Sequence, residues 1–316
     1  MQTSIKLNQA INNKPRFSAK FKETLKQMKE YKLSYLMITP FMLIFMVFTV
    51  IPVAASLLLG MMYYNVLELP RWVGWDNYVR LFINDDLFQI ALVNTLKMAL
   101  IIGPVGYLMC LLFAWIVNEL PPKLKPLMTL VFYAPSIAGA AEIWRLMFSG
   151  DIYGYWNSFL LRFGFIDEPV QWLKDTRYMM TCVILVQLWM SLGTSFLQLR
   201  AGFNTLDKQY FEAAAVDGVN NRWQELWYVT LPLMAPHLWL AAVLQVTSSF
   251  GVGDVANALC GFPSTGYAVH TITAHLKDYS STRFERGYAA AISTVLFIIS
   301  YGANKLAQAI IRKVGK

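Results

Sequence analysis

Apolar residues in this chain cluster in windows long enough to cross a bilayer, whose core of about 30 Å needs about 20 residues of helix. Six windows stand out: Tyr35 to Met62, Phe88 to Val117, Pro126 to Phe148, Tyr178 to Leu199, Pro236 to Val255 and Tyr288 to Ile311. The pattern predicts six transmembrane helices. Several windows contain Pro or Gly, among them Pro40, Pro52, Gly103, Pro104, Pro135 and Gly139. Kinks are expected there, because neighbouring helices can satisfy the freed backbone groups.

Composition agrees with the pattern. Of the 316 residues, 56% are hydrophobic and 15% charged, where ordinary soluble domains carry about 25% charge. The 15% aromatic content excludes a disordered chain. A net charge of +8 is modest for a nucleic-acid binder, and its distribution reads as topology instead. Eight Lys or Arg lie in residues 1–34, followed by Lys123, Lys125, Arg200, Lys208, Arg222, Arg312, Lys313 and Lys316, which puts sixteen on one side of a six-span chain. Arg71, Arg80, Arg162, Lys174, Arg177, Lys277, Arg283 and Arg286 make eight on the other. The asymmetry predicts that both termini are cytoplasmic.

The first apolar run is too long for a cleaved signal peptide, so it is expected to remain as an anchor. Within the tail at residues 1–34, Phe17, Phe21, Leu25 and Met28 recur three or four apart. That spacing suits a short helix on the inner leaflet, or a solvated basic tail. The remaining domain is 35–316, with its longest cytoplasmic connection at 200–235. Cys110, Cys182 and Cys260 form no disulfide framework or C-x-x-C pair and read as apolar fillers.

The 200–235 connection is more than a tether. Asp207 is placed to cap a helix running to Val216, and Gly218 to end it. A second helix fits Arg222 to Val229, stopped before Pro232. Two helices about a glycine turn make a partly apolar knob suited to docking.

This segment resembles the EAA loop of the transmembrane subunits of binding-protein-dependent ABC importers. The match is carried by Glu212, Ala213, Ala214, Asp217, Gly218, Val229, Leu231 and Pro232, with Asn220-Asn221 about one residue longer than the usual spacing. Further likenesses to sugar-importer permeases lie at Val73-Gly74-Trp75-Asp76-Asn77-Tyr78, Asn94-Thr95-Leu96, Ala134-Pro135, Ile143-Trp144, Leu146-Met147-Phe148, Trp156-Asn157 and Gly287-Tyr288-Ala289-Ala290-Ala291. The resemblance implies an all-α integral membrane protein with the type I ABC importer permease fold, similar to the maltose-type carbohydrate permeases. Asn221 to Trp227 is similar in style to transporters of larger saccharides such as alginate. Implied partners are a second permease subunit, two ATP-binding subunits carrying ATP and Mg, and an extracytoplasmic solute-binding protein, in the cytoplasmic membrane of a bacterium. No cofactor, metal or catalytic residue is expected on this chain. The coupling role falls to Glu212, Ala213, Ala214, Asp217, Gly218, Leu231 and Pro232.

Sugars take aromatic planes, hydroxyls and amides, and transporters hold substrate near mid-membrane. Gln187, Trp189, Ser191 and Thr194 in the fourth window, with Gln245, Thr247, Ser248 and Ser249 in the fifth, offer that mixture, although Ser and Thr also pack helices. Tyr301 and Asn304 are further candidates. Lys97, Glu142 and Arg145 are ionisable residues inside windows. Glu142 and Arg145 lie three apart and are expected to pair, while Lys97 either snorkels or attracts an acidic sugar. Gly251-Val252-Gly253-Asp254-Val255-Ala256 fits G-x-G-x-x-A but lacks the preceding strand of a dinucleotide site, so its glycines read as a break in the fifth helix. His237, His270 and His275 are too scattered for a metal set, and no Walker A sequence occurs. An ion-coupled secondary carrier is the alternative function, with Glu142 as its single buried acid.

Overall fold

The computed structural model of the chain describes residues 31–136 and 140–314. The basic tail, Tyr31 and its neighbours aside, and Gly139 lie outside these. The chain divides into two units, Met1–Ser56 and Leu57–Lys316. In the first, the described part belongs to helix α1 (Lys32–Leu59), which contains Pro40 and a wide π-type turn at Met46–Val50. That turn ends two residues before Pro52. A proline ring collides with the carbonyl four residues earlier, and widening the helix there moves that carbonyl away.

In the second unit α2 (Asp86–Glu119), α3 (Lys125–Ser136), α4 (Ala141–Met147) and α5 (Tyr155–Arg162) lead to α6 (Thr176–Asn204). There follow α7 (Lys208–Val216), α8 (Arg222–Leu233), α9 (Ala235–Phe250), α10 (Gly253–Cys260), α11 (Ile272–Lys277) and α12 (Arg286–Val314). Of the described helices, α1, α2, α6 and α12 are each long and apolar enough to cross a membrane, and the bent pairs α3–α4 (80°) and α8–α9 (83°) bring the total to six if each is one span. The third window is therefore two helices. The fourth is interrupted at Ser191, between segments Thr176–Met190 and Leu192–Asn204. The fifth breaks after Phe250, where Gly251 and Val252 separate α9 from α10, which begins at Gly253.

Two departures from the pattern read in the sequence have identifiable causes. Strands β1 (Met62–Tyr63) and β2 (Arg71–Trp72) pair antiparallel, Met62 against Trp72. The buried Asn77 side chain holds that turn by donating to the carbonyls of Gly60 at 3.0 Å and Met62 at 2.9 Å. In addition α8 continues through Pro232 to Leu233 instead of stopping before it. Its turn at Leu226–Thr230 is π-type and again ends two residues before the proline, the device already seen in α1.

Helix α9 lies among α2, the second half of α6 and α12. Near the end bearing α7 and α8, Phe196, Leu199 and Phe203 of α6 meet Val117 of α2 and Leu231, Met234 and Leu238. At mid-height Met98 and Ile102 pack with Val183 and Val186. At the opposite end Phe88 and Ala91 meet Ile272, Tyr288 and Ile292. Lipid tails are as apolar as these side chains, so close fit and interhelical hydrogen bonds hold the bundle more than burial does. Loops are pinned by asparagines from the motifs noted above. Asn94 donates to the carbonyls of Tyr267 and His270, both at 3.1 Å, and Asn157 binds the carbonyls of Ser149, Asp151 and Val170 while accepting from Trp172 at 2.8 Å.

Candidate functional site

The α7–α8 knob is built from local signals. The Asp207 carboxylate accepts from the Gln209 N–H at 3.1 Å, satisfying one of the free donors at the start of α7. At the other end the Val219 N–H donates to the Ala214 carbonyl at 2.9 Å and the Gly218 N–H to that of Ala215 at 3.2 Å, a Schellman ending. It needs a left-handed residue, and Gly218 has φ +94°. The Asn220-Asn221 pair then serves the next helix. Asn221 accepts from the Trp223 N–H at 3.1 Å, while the Gln224 side chain reaches back to the Asn220 N–H at 3.3 Å. The longer spacing at this point thus supplies a cap.

Two contacts fix the knob to the end of α2. Arg222 pairs with Glu225 at 2.9 Å and Glu119 at 3.5 Å, and the Trp223 ring lies 5.0 Å from that of Trp115. Tyr210, Val216, Trp227 and Tyr228 stay more than half exposed, an apolar face on a surface loop. Glu212, Ala213, Asp217, Gly218 and Pro232 are also exposed, Ala214 is half-buried, and Leu231 belongs to the core beneath.

Gln187, Ser191, Gln245 and Ser249 come together as a closed polar seam between α2, α6 and α9. The fully buried Gln245 amide donates to the Ser191 hydroxyl at 3.0 Å and the Ile102 carbonyl at 3.3 Å. Gly106 makes room for it, because a Cβ there would stand 2.1 Å from Gln245 Nε2. Gln187 donates to the Ser248 carbonyl at 3.3 Å, and its buried Oε1 has no partner among the described residues. Ser249 bonds back to the Val246 carbonyl. Trp189 and Ser248 are half-buried, Thr194 and Thr247 exposed, and Trp189 meets Trp144 edge-on at 5.4 Å. Glu142 and Arg145 pair at 3.4 Å on an exposed face, and Lys97 is exposed. Lys305 lies 5.5 Å over the Tyr301 ring, and Asn304 Oδ1 is buried without a partner among the described residues.

A third cluster, at the end opposite the knob, was not legible as a site. Asp85 caps α2 by accepting from the Phe88 N–H at 2.9 Å, and its other oxygen accepts from Tyr288 at 2.7 Å and His275 at 3.0 Å, with Tyr279 at 3.5 Å. His275 Nδ1 lies 3.1 Å from His270 Nε2. The carboxylate accepts only, so His275 must carry its proton on Nε2, and His270 must donate from Nε2. That leaves His270 Nδ1 as a buried acceptor, and it has no partner among the described residues. The available signals were an Asp at the start of a window and two histidines five apart in one loop.

Burial, with repulsion from His275, pushes the His270 imidazole down to about 4. Burial also lowers His275 against the pull of Asp85. Burial alone would raise the Asp85 carboxyl, but the bonds from Tyr288, Phe88 and His275 outweigh it and hold it below the ordinary carboxylate range. An unfolded chain binds a proton at His270 near pH 6.5, while the folded chain refuses it until about pH 4. The stability contributed is therefore complete above 6.5 and lost as pH falls towards 4. Thermal unfolding of the purified protein is expected to show a loss of about 3 kcal/mol over that window. His270→Gln should flatten the acid limb, and an unchanged limb in that variant would refute the assignment.

A family model described as binding-protein-dependent transport system inner membrane component matches residues 102–316. The probable ABC transporter permease protein YesP of Bacillus subtilis is 32% identical over 278 residues, 86% of this chain and 87% of the relative. The lactose transport system permease protein LacF of Rhizobium radiobacter is 28% identical, covering 84% of this chain and 89% of its own. In fold, the chain is similar to a bacterial ABC transporter involved in the import of the acidic polysaccharide alginate. The TM-score is 0.74 at 23% identity, over 93% of this chain and 100% of the other.

Proposed function

The chain belongs to the binding-protein-dependent transport system inner membrane components, multi-pass transporter permeases, and from that premise we propose that it is the permease subunit of an ATP-driven importer of a saccharide and itself catalyses no reaction. In this reading it pairs with a second permease, and two ATP-binding subunits hold ATP and Mg. A solute-binding protein delivers sugar from the extracytoplasmic side of a bacterial inner membrane, and both termini of the chain are cytoplasmic. The saccharide class is supported by relatives that include permeases for lactose and arabinooligosaccharides.

The observation that carries the proposal is the knob, two capped helices with an exposed apolar face. Its anchoring supports a route by which motion would pass inward. α8 is tied to α2 by Arg222 and Trp223 and meets α9 at the 83° bend beside the buried Met234. When ATP closes the nucleotide-binding pair, a displaced knob would turn α9 against α2 and α6, switching access to the pathway by rigid-body rocking. Gln187, Trp189, Ser191, Thr194, Gln245, Ser248 and Ser249 lie on the helices that would move in this reading, and we assign the substrate path to this group.

The test is purification of the tagged chain from its native membrane, with identification of co-purifying chains and of the sugar on the binding protein. The expected result is an ATP-binding subunit, a second permease and a bound saccharide. Uptake by the chain reconstituted without any ATPase would overturn the proposal in favour of an ion-coupled carrier.

A further inference from the structure

An open groove of about 590 Å³ lies beside the last turns of α6 and the start of α3. Its walls are apolar, with Leu130, Tyr133 and Leu197 along its length, and its polar end is formed by Lys125, Arg200 and Asn204. Arg200 is only 6% exposed. One terminal nitrogen donates to the Asn118 side chain at 3.2 Å, and Nε is buried without a partner among the described residues. The other terminal nitrogen bonds no described residue, and Arg200 is part of the lining of the groove. Neither Arg200 nor Lys125 has a carboxylate within 4.0 Å among the described residues.

A buried guanidinium without a counter-ion is costly, and burial of such a charge normally comes with a partner. No described residue supplies that anion. Arg200 stands one turn from the end of α6 at Asn204, and Lys125 is the first residue of α3, so both cations lie at helix ends, where a bilayer around these spans would present its headgroups. The apolar wall continues from them along the spans, where an acyl chain runs. Charge at one end and an apolar slot beyond it are the two halves of an amphiphile.

We propose that this groove holds an anionic phospholipid of the leaflet on the knob side, its phosphate between Arg200 and Lys125 and one acyl chain along Leu130, Tyr133 and Leu197. The lipid neutralises Arg200 and braces α3 against the second half of α6. The inference uses neither the sugar nor the ATPase, so its outcome is separate from that of the transport reading.

The test is native mass spectrometry of the complex as purified, delipidated and then titrated with phosphatidylglycerol or phosphatidylcholine. The intact complex is expected to retain phosphatidylglycerol in preference to phosphatidylcholine, and inorganic phosphate is not expected to displace it. Removing one cation near a headgroup should weaken retention about fivefold, so Arg200→Gln and Lys125→Gln should each reduce the preference, while Arg200→Lys keeps most of it. Lys125 is half-exposed at a helix start, so its variant reports even if Arg200→Gln fails to assemble. Equal retention of the two lipids by the intact complex, or an undiminished preference in Lys125→Gln, would overturn the proposal. Loss of the second permease from the Arg200→Gln complex, with no lipid preference in the intact one, would assign the groove to a protein partner instead.

Discussion

Gly218→Ile is expected to lower saccharide uptake roughly tenfold while the chain still inserts, because it strains the left-handed residue on which the knob turns. Gly218 sits at φ +94°, and nothing approaches within 4 Å of the position its Cβ would take. The penalty is therefore backbone strain and not collision. The cheapest relief is to unwind the ending of α7, which frees the Ala214 and Ala215 carbonyls and lets α7 move apart from α8. A docking surface that yields in this way absorbs the stroke it should transmit. ATPase activity is then expected to persist without matching uptake. Gly218→Asn, which tolerates the same conformation better, should keep most of the transport. Glu212→Lys tests the same surface by charge, since Glu212 is exposed on α7. Reversal there should weaken attachment of the ATP-binding subunit without harming the fold. The measurements are uptake and ATPase rate in proteoliposomes beside the amount of inserted chain. Wild-type ratios of uptake to ATP hydrolysis in both Gly218→Ile and Glu212→Lys would remove the coupling role.

The long helices and the knob were legible because their determinants are local. An apolar window states a span by length alone, and Asp207 and Gly218 mark the ends of α7 from within one or two turns. The passage of α8 through Pro232 was not legible. The wide turns before Pro52 and Pro232 leave no mark in hydropathy, although both stand at the same distance before a proline. The β1–β2 hairpin depends on Asn77, whose amide reaches back 17 residues to Gly60. Polar residues of the fourth and fifth windows could be named as types, but their seam depends on Gly106 in a third helix, and no spacing rule supplies that. Asp85 and His275 lie 190 residues apart, and only the packing of α11 and α12 against α2 brings them together.

Asp85→Leu is expected to be the most damaging single change outside the knob, and the reason is a count of donors. Leucine removes the acceptor for His275 Nε2, Tyr288 and the Phe88 N–H at one stroke, and for the longer contact from Tyr279. Each buried donor left unmet costs about 1–3 kcal/mol, and the partners come from three segments that this one carboxylate joins. The last turn before α2, the 270–282 stretch and the start of α12 should therefore separate together. Asp85→Asn keeps an acceptor oxygen and is expected to lie between Leu and wild type, having lost the charge that strengthens the bonds from His275 and Tyr288. Lys97→Gln, at an exposed position of α2, serves as a control that should change nothing. Folded chain recovered by size-exclusion chromatography, with its thermal midpoint, gives the order wild type, Asn, Leu. An Asp85→Leu protein that elutes and melts like wild type would show that Asp85 holds neither the start of α2 nor the three segments together.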